Sequence, residues 1–488
     1  MPVAKWPKLA WVAVCARGSR EILLLHGPAV ERGEGFACEA VWAGPFAEGG
    51  FDRTGLTFGS GVRLRGGRAV FVGSGSRYDR LWHTERTDRA LVSNSLPALL
   101  AVAGDGLLDT HDYVTDMRSA RFGLHATVRN LPTTEGEVTL TYFHNQFWDG
   151  DRLREEPKPL DVDGFAHFAE YQDFLRTAAE RIGANAADPH RNHSANVLAS
   201  VSSGYDSGVA AWAARHMGAT RAVTIGQSNS LWRGADSGEA VAGPLGLTCE
   251  TYGLRQDLYP NEEAVWASCG MALEINWTQF RFGQPVCVFA SGCHGDAAWA
   301  IDGPTENPFA SPSLAGSGLT EWRLLAGVLH CPVPVWGLQS IADLRGISRS
   351  EEMRPWTLGS DYDRPIARRI LETEGVPRNA FGLRKKNTQI TAELHWPFSP
   401  DAQISYAAWR ERKGLPVVGR SKANLYRRLS LVDRLIRANV LARAGIGRKR
   451  TRPWDRISNA SHIFRWANDV LRRRYAEGLR QADVEVGA

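Results

Sequence analysis

No apolar run in the chain approaches the roughly 20 residues that a bilayer-spanning helix needs, so nothing in it reads as a membrane span. The short apolar run near the N-terminus lacks a small-residue cleavage signature, and Leu9–Cys15 is expected to be a strand rather than a signal peptide. There is no C-x-x-C pair. The seven cysteines (Cys15, Cys38, Cys249, Cys269, Cys287, Cys293 and Cys331) are odd in number and scattered, which speaks against a disulfide framework or a zinc site and fits a reducing cytoplasm. A Walker loop, G-x-x-x-x-G-K-[ST], is missing, and with it the case for kinase-like NTPase chemistry. A nucleophile elbow, G-x-S-x-G, is missing as well, since GYDSG has the wrong spacing for a serine hydrolase. The sequence has neither internal repeats nor low-complexity tracts.

What is present is ordinary globular composition over 488 residues, with 43% hydrophobic and 23% charged. At ~100–200 residues per domain this length suits two or three domains. The net charge of +5 is uneven. Residues 420–488 hold 17 Lys/Arg against six Asp/Glu, a balance of +11, so the remainder carries −6.

Residues 1–155 read as a mostly antiparallel β domain. LAWVAVCA, RAVFVGS, RALVSNS and VTLTYFHN are short runs between Gly, Asp and Asn, with one helix expected after Asn94. REEPKPLDVDG reads as a linker. From Asp163 the spacing of Phe165, Phe168, Tyr171, Leu175, Ala178 and Ile182 predicts an amphipathic helix. NVLASV then reads as a buried strand, GVAAWAARHMG as a helix, AVTIG as a second strand and ADSGEAVAGPLG as a second helix. That alternation predicts a parallel sheet with right-handed crossovers. Residues 260–400 are expected to be helical with long loops. After Arg420, two helices flank the basic loop GIGRKRTRP.

The sharpest signal is VSSGYDS, Val201–Ser207, between a buried strand and a helix. First-turn N–H groups of a helix are unpaired and carry partial positive charge, which suits phosphate. Gly204 would let backbone approach the anion. Ser202, Ser203 and Ser207 offer hydroxyls. Asp206 would repel phosphate directly and makes sense as a ligand for Mg²⁺, which bridges carboxylate and phosphate. On the loop alone, a turn that merely caps a helix remains the competing reading.

SSGYDS resembles the SGGxDS PP-loop of the asparagine synthetase family, which includes β-lactam and carbapenam synthetases and lasso-peptide cyclases; Ser203 replaces the second glycine. Three further segments fall in the family's order. AVTIGQS with ADSGEAVAGPLGL resembles its second strand and acidic helix, FASGCHGDAAW its SGxGxD motif, and EEMRPW with GLRKKNTQI its R-x-P-[FW] and R-x-K segments.

The resemblance implies an α/β molecule in three parts. Residues 1–155 would be a degenerate N-terminal-nucleophile αββα sandwich, 156–420 a PP-loop synthetase domain on a parallel sheet, and 421–488 a basic helical tail. It implies ATP and Mg²⁺, with Asp206 and Asp296 holding the metal and Val201, Ile225 and Gly292 lying along the nucleotide beside Ser202, Ser203, Gly204 and Ser207. Lys386 would stabilise charge at the reacting centre, with Lys385 next to it as the alternative register. Adenylation and aminolysis both build negative charge on oxygen, which a lysine aimed there stabilises more in the transition state than in the ground state.

One position departs from the pattern. Three residues before Asp296, where asparagine-forming enzymes carry Glu and β-lactam formers Tyr, the chain has Cys293, then His294. Asparagine formation is therefore not expected. His294 and Glu352 are candidate bases for the amine, His294 because an imidazole titrates near working pH; a hydrogen-bonded structural histidine competes. Glutaminases of the family begin with a cysteine after Met1. Such a nucleophile needs both a thiol and an adjacent free amine as base; here Pro2 stands in that place and offers no thiol.

The expected activity is a cytoplasmic, AMP-forming carbon–nitrogen ligase without its own glutaminase, in secondary-metabolite or surface-polysaccharide biosynthesis. It would join a small-molecule, glycan or peptide carboxylate to an amine or ammonia; a homodimer stays open. The alternative is a non-catalytic nucleotide-binding scaffold descended from such enzymes. In the tail, Leu425, Leu429, Val432, Leu435 and Ile436 share a helical face between arginines. A surface for an anionic partner competes with a solvated helix packed on the synthetase core, and the second is expected. No aromatic platform or recognition motif points to nucleic acid.

Overall fold

A computed structural model describes residues 1–227, 236–254, 259–283, 285–383, 394–436 and 452–482. Its N-terminal part pairs two antiparallel sheets. One has the order β2-β1-β8-β7-β10-β9, from β1 (Trp11–Ala16), β2 (Ile22–His26), β7 (Arg80–Glu85), β8 (Arg89–Ser93), β9 (Asn130–Thr133) and β10 (Gly136–Tyr142). The other has the order β12-β11-β6-β5-β4-β3, from β3 (Glu31–Gly33), β4 (Phe36–Trp42), β5 (Thr57–Arg65), β6 (Arg68–Val72), β11 (Asn145–Trp148) and β12 (Leu153–Glu156).

Strand alternation divides the side chains. Trp11, Ala13 and Cys15 of β1 join Phe71 of β6 and Trp148 of β11 in a core shared by both sheets, while Val12 joins the larger core. Trp11 stacks on Phe71 with ring centroids 6.3 Å apart. The expected helix after Asn94 is Leu96–Ala103. The Ser95 hydroxyl accepts from the Ala98 N–H at 3.3 Å, and Gly104 closes the helix at φ 68°.

The second part is a five-stranded parallel sheet, β15-β14-β13-β16-β17, from β13 (Ala195–Ser200), β14 (Arg221–Ile225), β15 (Thr248–Tyr252), β16 (Val286–Ser291) and β17 (Val328–Pro332). Its first strand is central: the chain builds outward to β15, then crosses back to add β16 and β17 on the other side. Such a reversal leaves a crevice beyond the carboxyl ends of the two strands that flank it, here β13 and β16.

The helix expected from Asp163 is Phe168–Ala186, and it buries the predicted face from Phe168 to Ile182; Phe165 lies before it. Three expectations are corrected. Residues 260–400 are not only helices and loops, because they supply β16 and β17. Their unbroken apolar runs, VCVFAS and VLHCP, have no period that tells strand from helix. The second acidic helix shrinks to Glu239–Ala242, since Gly238 and Gly243 bound it. The tail is not one solvated unit. Helix Ala460–Gln481 is built into the main core through Ile463, Phe464, Trp466, Leu471 and Tyr475, and the Trp6 indole N–H donates to the Tyr475 carbonyl at 3.1 Å. Helix Arg420–Ile436, by contrast, leaves Leu425, Leu429 and Val432 exposed.

Among the described residues no helix is long and apolar enough to cross a membrane. All seven cysteines are free thiols. The sandwich and the parallel sheet share a buried ionic junction. Arg323, on helix Trp322–Ala326, donates to Asp79 (2.7 Å) and to Glu39 of β4 (2.6 and 3.1 Å), and Ser60 and Asn94 also donate to Glu39.

Candidate functional site

Two loops meet at the crevice. The first leaves β13 as Val201–Gly204 and enters helix Tyr205–His216; the second leaves β16 as Gly292–His294 and enters the short helix Gly295–Ala298. They touch because the second loop has glycines where it does. A Cβ on Gly292 would lie 2.5 Å from the Asp206 carbonyl carbon and from the Ser207 nitrogen, and a Cβ on Gly295 would collide with the Asp206 carboxyl. Glycine is needed here for close approach of backbones.

This packing converges the two acids singled out in the sequence. The Arg364 guanidinium donates through one nitrogen to Asp206 and through the other to Asp296. Arg364 comes from the residue before helix Pro365–Thr373, and its side chain is 5% exposed. Burial is the largest influence and works against its charge, but Asp206, Tyr362 and Tyr205 together hold the guanidinium pKa above its usual value. Two carboxylates on separate loops thus share one cation.

Around them lies a cavity of about 180 Å³. Its lining includes Ser202, Gly204, Asp206, Ser207, Gly292, His294 and Asp296, together with Asp236, Trp277 and Tyr362, which sequence reasoning had not assigned. Within the first loop, the Ser202 and Ser207 hydroxyls are 2.7 Å apart, and the Gly204 N–H donates to the Ser202 hydroxyl at 3.2 Å. Among the described residues no side chain caps helix Tyr205–His216.

Gly204 adopts φ −89° and ψ 160°, an extended conformation open to any residue, so its value is space rather than dihedral freedom. Ser203 does not line the cavity. Its hydroxyl donates to Asp236 at 2.7 Å and its carbonyl accepts from the Gly382 N–H at 2.9 Å. Val201 follows the end of β13 and Ile225 ends β14; both are buried, and neither lines the cavity.

The two candidate bases are placed differently from one another. Glu352 lies outside the cavity lining. It accepts from the Phe168 N–H at 2.9 Å and pairs with Arg369 at 3.0 Å, so it satisfies the start of helix Phe168–Ala186. Burial raises its carboxyl pKa, yet the Phe168 N–H and Arg369 together hold it below the usual value. His294 lines the cavity in the left-handed region at φ 80°, and its Nε2 donates to the Pro308 carbonyl at 3.0 Å. Burial, with Arg77 adding to it, pushes its pKa down to about 3. A ring so hard to protonate fits the competing reading, a structural hydrogen-bonding histidine. Lys385 and Lys386 lie outside the described residues.

Two arginines that carried no motif hold the walls. Arg345 donates to the carbonyls of Ala297, Ala298 and Ala300, closing the helix that carries Asp296. Arg77, from the sandwich, donates to Phe309 at 3.3 Å and to Ser313, fixing the far wall. Cys293, buried with its thiol pushed up to about 12 by desolvation, is a packing residue at neutral pH.

The site carries a pH prediction. His294, and His330 whose Nε2 lies 2.7 Å from the Ser291 hydroxyl, are both pushed down to about 3 by burial from an ordinary 6.5. Between those values the unfolded chain binds more protons than the folded one, so stability rises with pH. Their contribution is complete above about pH 6.5 and lost progressively below it. Thermal unfolding is expected to occur at lower temperature as pH falls from 7.5 to 5. His294→Asn, which keeps a residue tolerant of positive φ, is expected to make that dependence shallower. An unchanged slope would contradict the assignment.

Compared with models of known protein families and with curated protein sequences, the chain matches none.

Proposed function

We propose that the chain is an ATP-dependent amide-forming ligase that activates a carboxylate as an acyl-adenylate and transfers it to an amine. The observation that carries this reading is the convergence of Asp206 and Asp296 on a single cation, at the switch point of a parallel sheet where such folds bind ligands. The order of the motifs along the chain, which resembles the asparagine synthetase family, supports it.

The residues fit Mg²⁺. Among the described residues no group of three or more His, Cys, Asp or Glu is arranged to hold a metal ion by itself. A pair of carboxylates is what Mg²⁺ uses when phosphates and water complete its shell. The metal, when bound, would neutralise the triphosphate and the pyrophosphate that leaves.

The chain's own residues have the following work. Ser202 and Ser207, with the first-turn N–H groups of helix Tyr205–His216, bind phosphate oxygens. A substrate carboxylate oxygen attacks the α-phosphorus, pyrophosphate departs, and the acyl carbon is left bonded through oxygen to AMP. The amine nitrogen then attacks that carbon; AMP departs with the bonding pair, and the amine gives up a proton. Lys386 would stabilise the charge on the acyl oxygens. Cys15, deeply buried in β1 with its thiol pushed up to about 12, offers no glutaminase nucleophile, so ammonia or an amine must be supplied.

A second reading has one observation in its favour. Arg364 already neutralises both acids, as it would in a scaffold that binds nucleotide without chemistry. ATP–pyrophosphate exchange over a panel of small-molecule, uronic and peptide carboxylates separates the two. Exchange dependent on one acid class supports the ligase. ATP binding with no exchange for any acid would leave the scaffold standing.

A further inference from the structure

A second cavity, of about 380 Å³, lies where helix Leu96–Ala103 ends, helix Pro400–Arg412 ends and helix Ala460–Gln481 passes. It shares no lining residue with the crevice. Five cationic side chains line it: Arg412, Lys413, Arg465, Arg472 and Arg473.

The acids beside them are already satisfied. Asp105 accepts from Thr133, Thr134, the Gly106 N–H and Arg86. Asp109 pairs with Lys413 at 2.7 Å. Asp469 is shared between Arg472 at 3.2 Å and Arg473 at 2.8 Å. The cavity therefore keeps excess positive charge, with Arg412 at its rim and Arg465 deep in its wall.

Arg465 is the telling residue. It is 6% exposed, yet its guanidinium makes one hydrogen bond, to the Leu108 carbonyl at 3.0 Å, and no ion pair among the described residues. Its Nε has no partner. Two other lining residues share this condition: the Trp409 indole N–H and the Asn468 amide oxygen are buried and unpartnered. Burying a guanidinium with its donors largely unmatched is costly, and native interiors leave few polar atoms so. Burial also lowers the Arg465 pKa despite the nearby Asp109.

We propose that this cavity binds a small phosphorylated molecule. Arginine forks approach from two different helices, and the several oxygens of a tetrahedral phosphate accept from both directions at once. The ligand would bridge the sandwich, helix Pro400–Arg412 and the C-terminal helix, so it should stabilise the fold as it binds.

Calorimetric titration of the full chain with inorganic phosphate and inorganic pyrophosphate tests this, with citrate at matched ionic strength as the carboxylate comparison. Arg412→Glu and Arg473→Glu alter exposed rim residues and should fold. Each is expected to weaken phosphate binding by at least roughly tenfold, about 1.4 kcal/mol, and to abolish its thermal stabilisation, while ATP affinity stays unchanged. The proposal is overturned if the wild-type chain binds no phosphate, if both variants bind it as tightly as wild type, or if citrate binds equally well and is lost in the same variants. Because ATP binding is measured alongside, a failure here is separable from a failure of the crevice.

Discussion

Asp206→Asn is expected to abolish nucleotide-dependent exchange, by about 10²–10³-fold or more, the order seen when one preorganised electrostatic partner is removed from a site of developing charge. The substitution keeps shape and removes only the anion. The same change costs the free protein a charge-assisted hydrogen bond to Arg364, about 2 kcal/mol. The two effects separate by comparison with Arg364→Met, which removes the cation and keeps both acids. Without the guanidinium, Asp206 and Asp296 face one another unneutralised. That variant should unfold at lower temperature than wild type in metal-free buffer and recover when Mg²⁺ is added, while wild type responds far less. Exchange surviving in Asp206→Asn, or an Arg364→Met chain indifferent to Mg²⁺, would remove the basis for a metal between these acids.

Much of this site was legible because its chemistry is local. A strand, a Ser/Gly loop and a helix lie consecutively in VLASVSSGYDSGVAAW, and the second loop follows VCVFAS in the same way. Arg364 was not legible. It carries no motif and reaches the acids only because helix Pro365–Thr373 packs beside helix Tyr205–His216, a long-range consequence of the fold. Tyr362 was missed for the same reason, whereas Asp236 lay in a family-like segment but was given no role. Glu352 stood out because a carboxylate in a family-like segment looks catalytic; its partner, a helix start 184 residues away in sequence, was not legible. For His294 the sequence left a base and a structural histidine competing, because an imidazole's ordinary pKa says nothing of burial; its burial favours the second. The C-terminal helix was underestimated because its arginines dominate composition, while its apolar residues at helical spacing face the core.

The largest stability effect is expected from Arg323→Met. Arg323, on helix Trp322–Ala326, is wholly buried and serves two buried carboxylates of the sandwich, Glu39 and Asp79. Removing it leaves both acids in the interior without a cation, a loss of about 3–5 kcal/mol. Desolvation already raises both carboxyl pKa values, with Arg323 the main opposing influence. In the variant they rise further. The folded chain then holds protons that the unfolded chain releases, so stability falls as pH climbs above the ordinary carboxylate range. The deficit measured by chemical denaturation should be smaller at pH 5 than at pH 7.5. Adding Glu39→Gln and Asp79→Asn to Arg323→Met should recover part of the loss, because the cost lies in unpaired buried charge rather than in lost packing. A deficit that is independent of pH and untouched by those changes would mean the arginine matters only for its volume. The junction would then be a packed seam rather than an ionic one.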